Sequence, residues 1–229
     1  MSNHRDNLLE AAQLLTAVAY GLDDEDTTDS LLAIAHKIRG NTLMGSLPDR
    51  SVMFGLNRLL SDLGSKWAVI GGMAVAVHGH ERETSDIDVL IDALPDATKT
   101  IDSAYMDRFG FYRGKSRTGG HLVLDHKQGQ CEFLPAKEEW QMWAIENATP
   151  EMVLGLSVPV IRPEAVIVSK LKATTQNPLR EKKDIPDVLS VLLNHKDTLD
   201  YGVILMWLTP QEAAKFSKLA DANSISIPE

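Results

Sequence analysis

Two aspartates one residue apart, Asp86 and Asp88, follow a glycine pair, Gly71-Gly72, that itself ends the apolar run Trp67-Ala-Val-Ile70. On an extended strand successive side chains alternate, so Asp86 and Asp88 share one face while Ile87 and Val89 take the other. Carboxylates placed this way repel each other unless a cation lies between them, and oxygen-only donors suit magnesium. The glycines leave no Cβ where a bulky ligand nears the backbone. The short helix expected from Met73 to Val77 would turn its free N–H groups toward whatever sits above them. The chemistry these residues could do is metal-dependent phosphoryl or nucleotidyl transfer. The competing reading is a polar strand edge beside an unrelated glycine turn.

Two further positions carry charge where charge is costly. Glu132 interrupts the otherwise apolar strand Gln130-Cys-Glu-Phe-Leu134, which needs either a partner or a water-facing strand edge. Lys170 lies on a helical stretch with Val166 and Ala173 on its face and Ile167 and Leu171 beside it. It either snorkels outward or points its ammonium into a site. With Lys172, Arg180, Lys182 and Lys183 it forms the one basic cluster of an acidic chain, where a triphosphate would be attracted.

The pattern Gly71-Gly72 then Arg82-x-Thr84-x-Asp86-Ile87-Asp88 resembles the signature of the polymerase-β-type nucleotidyltransferases. The bacterial toxin and abortive-infection members, the AbiEii-like group, are most similar in pattern. A second block is similar to theirs too: Pro163-Glu-x-x-Ile167-x-x-Lys170-Leu-x-Ala173, then Arg180-x-x-Lys183-Asp184-x-x-Asp187. The likeness spans residues 56–193 and does not reach the first 50. It implies an α/β (α+β) fold, a small mixed sheet with helical N-terminal and C-terminal flanks.

The resemblance also implies a reaction. A hydroxyl attacks the α-phosphate of a nucleoside triphosphate and pyrophosphate leaves. Asp86 and Asp88 would hold Mg2+, and a third carboxylate on a following strand would complete the metal site and help activate the nucleophile. Glu132 fits that position, although an aspartate is more usual there, and Asp125 is the second choice. The backbone of Gly71 and Gly72, with Arg82 and Thr84, would accommodate the nucleotide, and Lys170 would contact its phosphates. Arg180, Lys183, Asp184 and Asp187 would line the site, though Asp187 beside Pro186 could equally open a helix from Pro186 to Leu193. The toxin-type likeness suggests an RNA end, such as that of tRNA, or a protein hydroxyl as acceptor, with an antitoxin as partner. Two alternatives stand beside it: transfer to a small molecule such as an aminoglycoside, and a nucleotide-binding interaction module with little or no catalysis.

The surrounding elements must position these groups. Hydrophobic spacing predicts helices over 8–20 and 29–38, separated by the acidic loop 23–26, and a third from Val52 to Leu63 capped by Gly64. A helix is expected over 97–109, a hairpin over 121–126 and 130–134, and a helix from Glu138 to Asn147 whose Trp140 and Trp143 read as core packing. A second hairpin, 152–161, turns near Gly155. Pro163 opens a helix to Thr174. The run 203–208 packs, and Thr209-Pro-Gln-Glu212 is a capping box opening a helix to Ala222. This divides the chain into a helical segment 1–50, a core 51–136 and a mostly helical region 137–229 that completes the site.

Length and composition fit that reading. The chain of 229 residues is 44% hydrophobic, within the ordinary range of globular proteins. One cysteine, Cys131, excludes an intrachain disulfide and a cysteine-built zinc site. No apolar run reaches membrane-spanning length and the first residues do not read as a secretory signal, so a cytoplasmic protein is expected. The net charge of −9 argues against indiscriminate coating of nucleic acid but allows a local basic groove. His78 and His80 lack metal-ligand companions and read as structural.

Overall fold

A computed structural model describes residues 48, 50–80, 84, 86–92, 111–113, 122–126 and 129–227. The helices expected at 8–20, 29–38 and 97–109, the acidic loop 23–26 and Arg82 lie outside the described residues.

Helix α1 (Arg50–Leu63) turns Val52, Met53, Leu56, Leu59 and Leu60 inward, all but fully buried. It ends at Gly64, whose φ of 64° is the left-handed conformation that glycine adopts without strain. Strand β1 (Trp67–Ile70) is buried along its whole length and runs straight into α2 (Gly71–His78). The two glycines are therefore the first residues of the helix, not the turn before it, so the free N–H groups at its start include their own. Strand β2 (Asp86–Ile91) returns antiparallel to β1, pairing Ile70 with Asp88.

Strands β3 (Phe111–Arg113), β4 (Leu122–His126) and β5 (Gly129–Pro135) follow as an antiparallel run. Strand β5 lies parallel to β2 and sets Glu132 opposite Asp88. Next come α3 (Glu139–Glu146) and the hairpin of β6 (Thr149–Val153) and β7 (Leu156–Val160). Leu154 and Gly155, at φ of 50° and 75°, form its two-residue turn. Strand β7 adds parallel to β1, completing a seven-stranded mixed sheet in the order β3-β4-β5-β2-β1-β7-β6. The boundary drawn at residue 136 thus passes through one continuous sheet.

Helix α4 (Pro163–Gln176), a 3-10 turn (Pro178–Arg180), α5 (Glu181–His195), α6 (Tyr201–Trp207) and α7 (Pro210–Ala222) complete the chain. The capping box at Thr209 forms as read: Thr209 N–H donates to Glu212 Oε2 at 2.9 Å and Glu212 N–H to Thr209 Oγ1 at 3.4 Å. Helix α5 differs from its expectation, because Pro186 lies inside it instead of opening it. A proline there removes one backbone donor. Asp184 and Asp187 straddle it, and their shared ion pairs to α4 hold that turn in place. One hydrophobic core runs from α1 through the sheet to Phe216 and Ala220 of α7. Among the described residues no helix is long and apolar enough to cross a membrane.

Candidate active site

The sheet centre and helix α4 enclose a cavity of about 400 Å³. Gly71, Asp88 and Glu132 form one wall, Lys170, Lys172 and Arg180 another, and Leu90, Leu134 and Trp140 the apolar part between them.

The strand-to-helix junction fixes Asp88. A Cβ at Gly71 would fall 1.9 Å from Asp88 Oδ2, and the φ of 71° there is itself left-handed. Only a glycine lets the carboxylate lie against the start of α2. At Gly72 a Cβ would meet Thr84 Oγ1 at 2.9 Å. The Thr84 hydroxyl donates to Asp86 Oδ1 at 2.8 Å, holding the first carboxylate of the pair. Burial, then the negative charges of Asp86 and Glu132, push the Asp88 carboxyl up to about 6. The nearby cations Lys170 and Lys183 pull the other way without cancelling this.

That excess negative charge tests the fit of a magnesium ion. Among the described residues no three His, Cys, Asp or Glu side chains close into a cage that could hold a metal by themselves. Magnesium does not need one, because it keeps several waters and takes one or two carboxylates plus substrate phosphates. The oxygen donors of Asp86 and Asp88, with Glu132 across the strand pair, fit it on those terms. Asp125 lies on β4, opposite Gln130 of β5 and not opposite Asp88 or Glu132.

The basic wall is more tightly bound than the sequence suggests. Lys170 is buried, and its Nζ lies 3.1 Å from Asp184 Oδ1 and 2.8 Å from Asp187 Oδ2. Asp184 also accepts from Arg180 Nε at 2.6 Å. Burial raises the proton affinity of Asp184, but the Arg180 hydrogen bond and the Lys170 charge outweigh it and hold its carboxyl below the usual range. The same hydrogen bond raises Arg180 further. Lys172 pairs with Glu212 at 3.6 Å. Lys182 and Lys183 are exposed.

Of the site residues expected from the sequence, Gly71, Asp88, Glu132, Lys170 and Arg180 line one cavity, while Gly72 follows Gly71 in α2 and Asp86 stands two residues from Asp88 on β2. Asp184 and Asp187 reach the cavity through Lys170, and Thr84 is hydrogen-bonded to Asp86. Spacing alone did not single out Ser169 and Gln176, which line the cavity from α4. With Ala173 they repeat at helical intervals, and that was the available signal. Trp140 is buried core, as expected, yet also lines the cavity. Trp143 turns to Trp207, ring centroids 6.3 Å apart, and takes the Arg162 guanidinium 6.0 Å from its ring. His78 is structural: its Nε2 lies 2.8 Å from the Ile161 carbonyl, and burial lowers its proton affinity.

No protein-family model matches the sequence, and no curated protein matches it either. Solved structures give low-identity similarities. The antibiotic-resistance factor ANT(2″)-Ia is 15% identical, with 76% of this chain and 94% of that one covered at a TM-score of 0.48. An antigenic nucleotidyltransferase-like protein from Paracoccidioides brasiliensis is 18% identical over 80% and 96%, at 0.47. The lincosamide antibiotic adenylyltransferase LnuA, lincomycin-bound, is 16% identical over 64% and 99%, at 0.42. At these values the similarities carry no weight for activity, and the reading of the site rests on its own geometry.

Proposed function

We propose that this chain is a magnesium-dependent nucleotidyltransferase of the polymerase-β type, moving a nucleoside monophosphate from a triphosphate to a hydroxyl. The observation that carries the reading is the packing of Asp88 against Gly71, directly opposite Glu132 and two residues from Asp86. This concentrates negative charge at the N-terminus of a helix that opens with two glycines. Structural needs alone give no reason to gather three carboxylates there.

Asp86 and Asp88 would hold the metal. The chemistry a magnesium ion held by them would supply is neutralisation of the negative charge that develops on the leaving group. Glu132 would take the proton of the attacking hydroxyl. The new bond joins the acceptor oxygen to the α-phosphorus, the bond to the β-phosphate bridging oxygen breaks, and pyrophosphate carries away that electron pair. Gly71 and Gly72 make room for Asp88 and Thr84 and so bring the N-terminus of α2 to the site, and Arg180 and Lys183 would supply positive charge to the phosphates.

The acceptor in this reading is an RNA end or a protein hydroxyl, as for a toxin-type enzyme with an antitoxin partner. A small-molecule acceptor is the second reading, favoured by one observation. Lys170, Lys172 and Arg180 are each paired with a carboxylate, so less of the basic cluster is available for RNA phosphates. The test is incubation with each α-labelled triphosphate, magnesium, total RNA and lysate. Label should appear in one acceptor class and be absent with Asp86→Asn and Asp88→Asn. Label transfer undiminished in both variants would end the reading.

A further inference from the structure

The cations around the cavity are not equivalent, and the difference assigns separate roles within the reaction proposed above, on which this inference rests. Lys170 is enclosed: its side chain is 6% exposed, and two of its three donors face Asp184 and Asp187 at 3.1 and 2.8 Å. Its charge is matched by those carboxylates before any ligand arrives. Arg180 is arranged differently. Its side chain is 47% exposed, its Nε is fixed on Asp184 at 2.6 Å, and it lines the same cavity as Asp88. That bond uses Nε and not the two terminal nitrogens of the guanidinium.

An arginine held by Nε cannot swing freely, and its outer edge offers two parallel donors spaced for two phosphate oxygens. Lysine offers a point charge without that geometry. Formally, Lys170 and Arg180 balance Asp184 and Asp187, so the quartet as a whole attracts no anion, and directed donors must do the selecting. We propose that Arg180 is the residue that reads the outer phosphates of the triphosphate, and that Lys170 is a positioning residue. Its ion pairs fix Asp184, and Asp184 aims the Arg180 fork into the cavity.

The experiment measures affinity for non-hydrolysable α,β-methylene analogues of the four nucleoside triphosphates and for the four monophosphates, with magnesium, together with melting temperature. Wild type should prefer a triphosphate. Arg180→Gln should lower triphosphate affinity about 10- to 100-fold and leave monophosphate affinity near wild type, with a lower melting temperature from the lost hydrogen bond to buried Asp184. Arg180→Lys should restore only part of the loss. The charge-balanced double variant Lys170→Met with Asp187→Asn should melt earlier yet keep its triphosphate preference. A preference unchanged in Arg180→Gln and lost in the double variant would overturn the assignment. If the double variant does not fold, Asp187→Asn alone decides. It frees one Lys170 donor, which should leave triphosphate affinity unchanged if Lys170 only positions and raise it if Lys170 binds phosphate. Wild type that binds no triphosphate would instead overturn the nucleotidyltransferase reading itself, and this inference with it.

Discussion

Asp88 Oδ2 occupies the space a side chain at Gly71 would need, 1.9 Å from where its Cβ would stand. The obstacle is a carboxylate of the proposed metal site on a central strand, so it cannot yield without moving that site. Gly71→Ala should therefore abolish turnover and also lower stability, by about 1–3 kcal/mol, from the left-handed φ and the displaced carboxylate. Thermal melting and pyrophosphate release from the same preparation check both parts. Full activity in that variant would show that Asp88 need not lie where it does.

Asp88 gives a stability prediction with a definite sign. Its carboxyl is raised from 3.8 to about 6 in the folded protein. The protonated group's stabilising contribution is thus fully present below about pH 4 and lost as pH rises through 6. In metal-free protein Asp88→Asn should raise stability at pH 8, by on the order of 2 kcal/mol, and make little difference at pH 4. Magnesium should stabilise wild type more than the variant. Denaturant unfolding at the two pH values, with and without magnesium, reads all three.

Glu132 faces Asp88 across a parallel strand pair. Glu132→Gln removes a proton acceptor with little change of shape. Turnover should fall by roughly 100-fold or more with nucleotide affinity little changed. Single-turnover kinetics with separate binding titrations would show it. A loss below about threefold would remove Glu132 from proton transfer.

Removing the Lys170 ammonium leaves two buried carboxylates without their shared partner. Lys170→Ala should cost about 3–5 kcal/mol. Adding Asp187→Asn should recover part of that loss, a coupling that a double-mutant cycle measures directly. Simple additivity would mean the ion pair is energetically inert.

Salt dependence separates the acceptors. An RNA end held by roughly three or four phosphate contacts should give a log–log affinity slope of about −2 to −3, flattened by about one unit or more when Lys182 and Lys183 become alanine. A small cationic acceptor should be indifferent to those two residues. Acceptor saturation across a salt series in wild type and the double variant distinguishes them.

What the sequence disclosed and what it hid follow from range. Asp86 and Asp88 were legible because strand alternation is local, and the glycine pair because missing side chains show in a string of letters. The capping box at Thr209 was legible for the same reason. Glu132 could be suspected as a charge in an apolar strand, but only strand order puts it opposite Asp88. The pairing of Lys170 with Asp184 and Asp187 was not legible, since it depends on how two helices pack. Pro186 misled because a proline ordinarily opens a helix, and here side-chain contacts on both sides of it keep one continuous.

The parallel pairing of β2 with β5 also has a consequence during synthesis. Strands laid side by side in parallel cannot be joined by a tight turn, so Asp88 waits for a long stretch of chain before it meets Glu132. Asp184, which pairs with Lys170 and Arg180, emerges later still. A ribosome-bound chain that has released the aspartate pair alone holds carboxylates without their opposing strand or their cations. Such long-range closure comes late and slowly in folding. The proposed site is then complete only once α5 has emerged, so a polypeptide that stalls before that point should carry out no transfer.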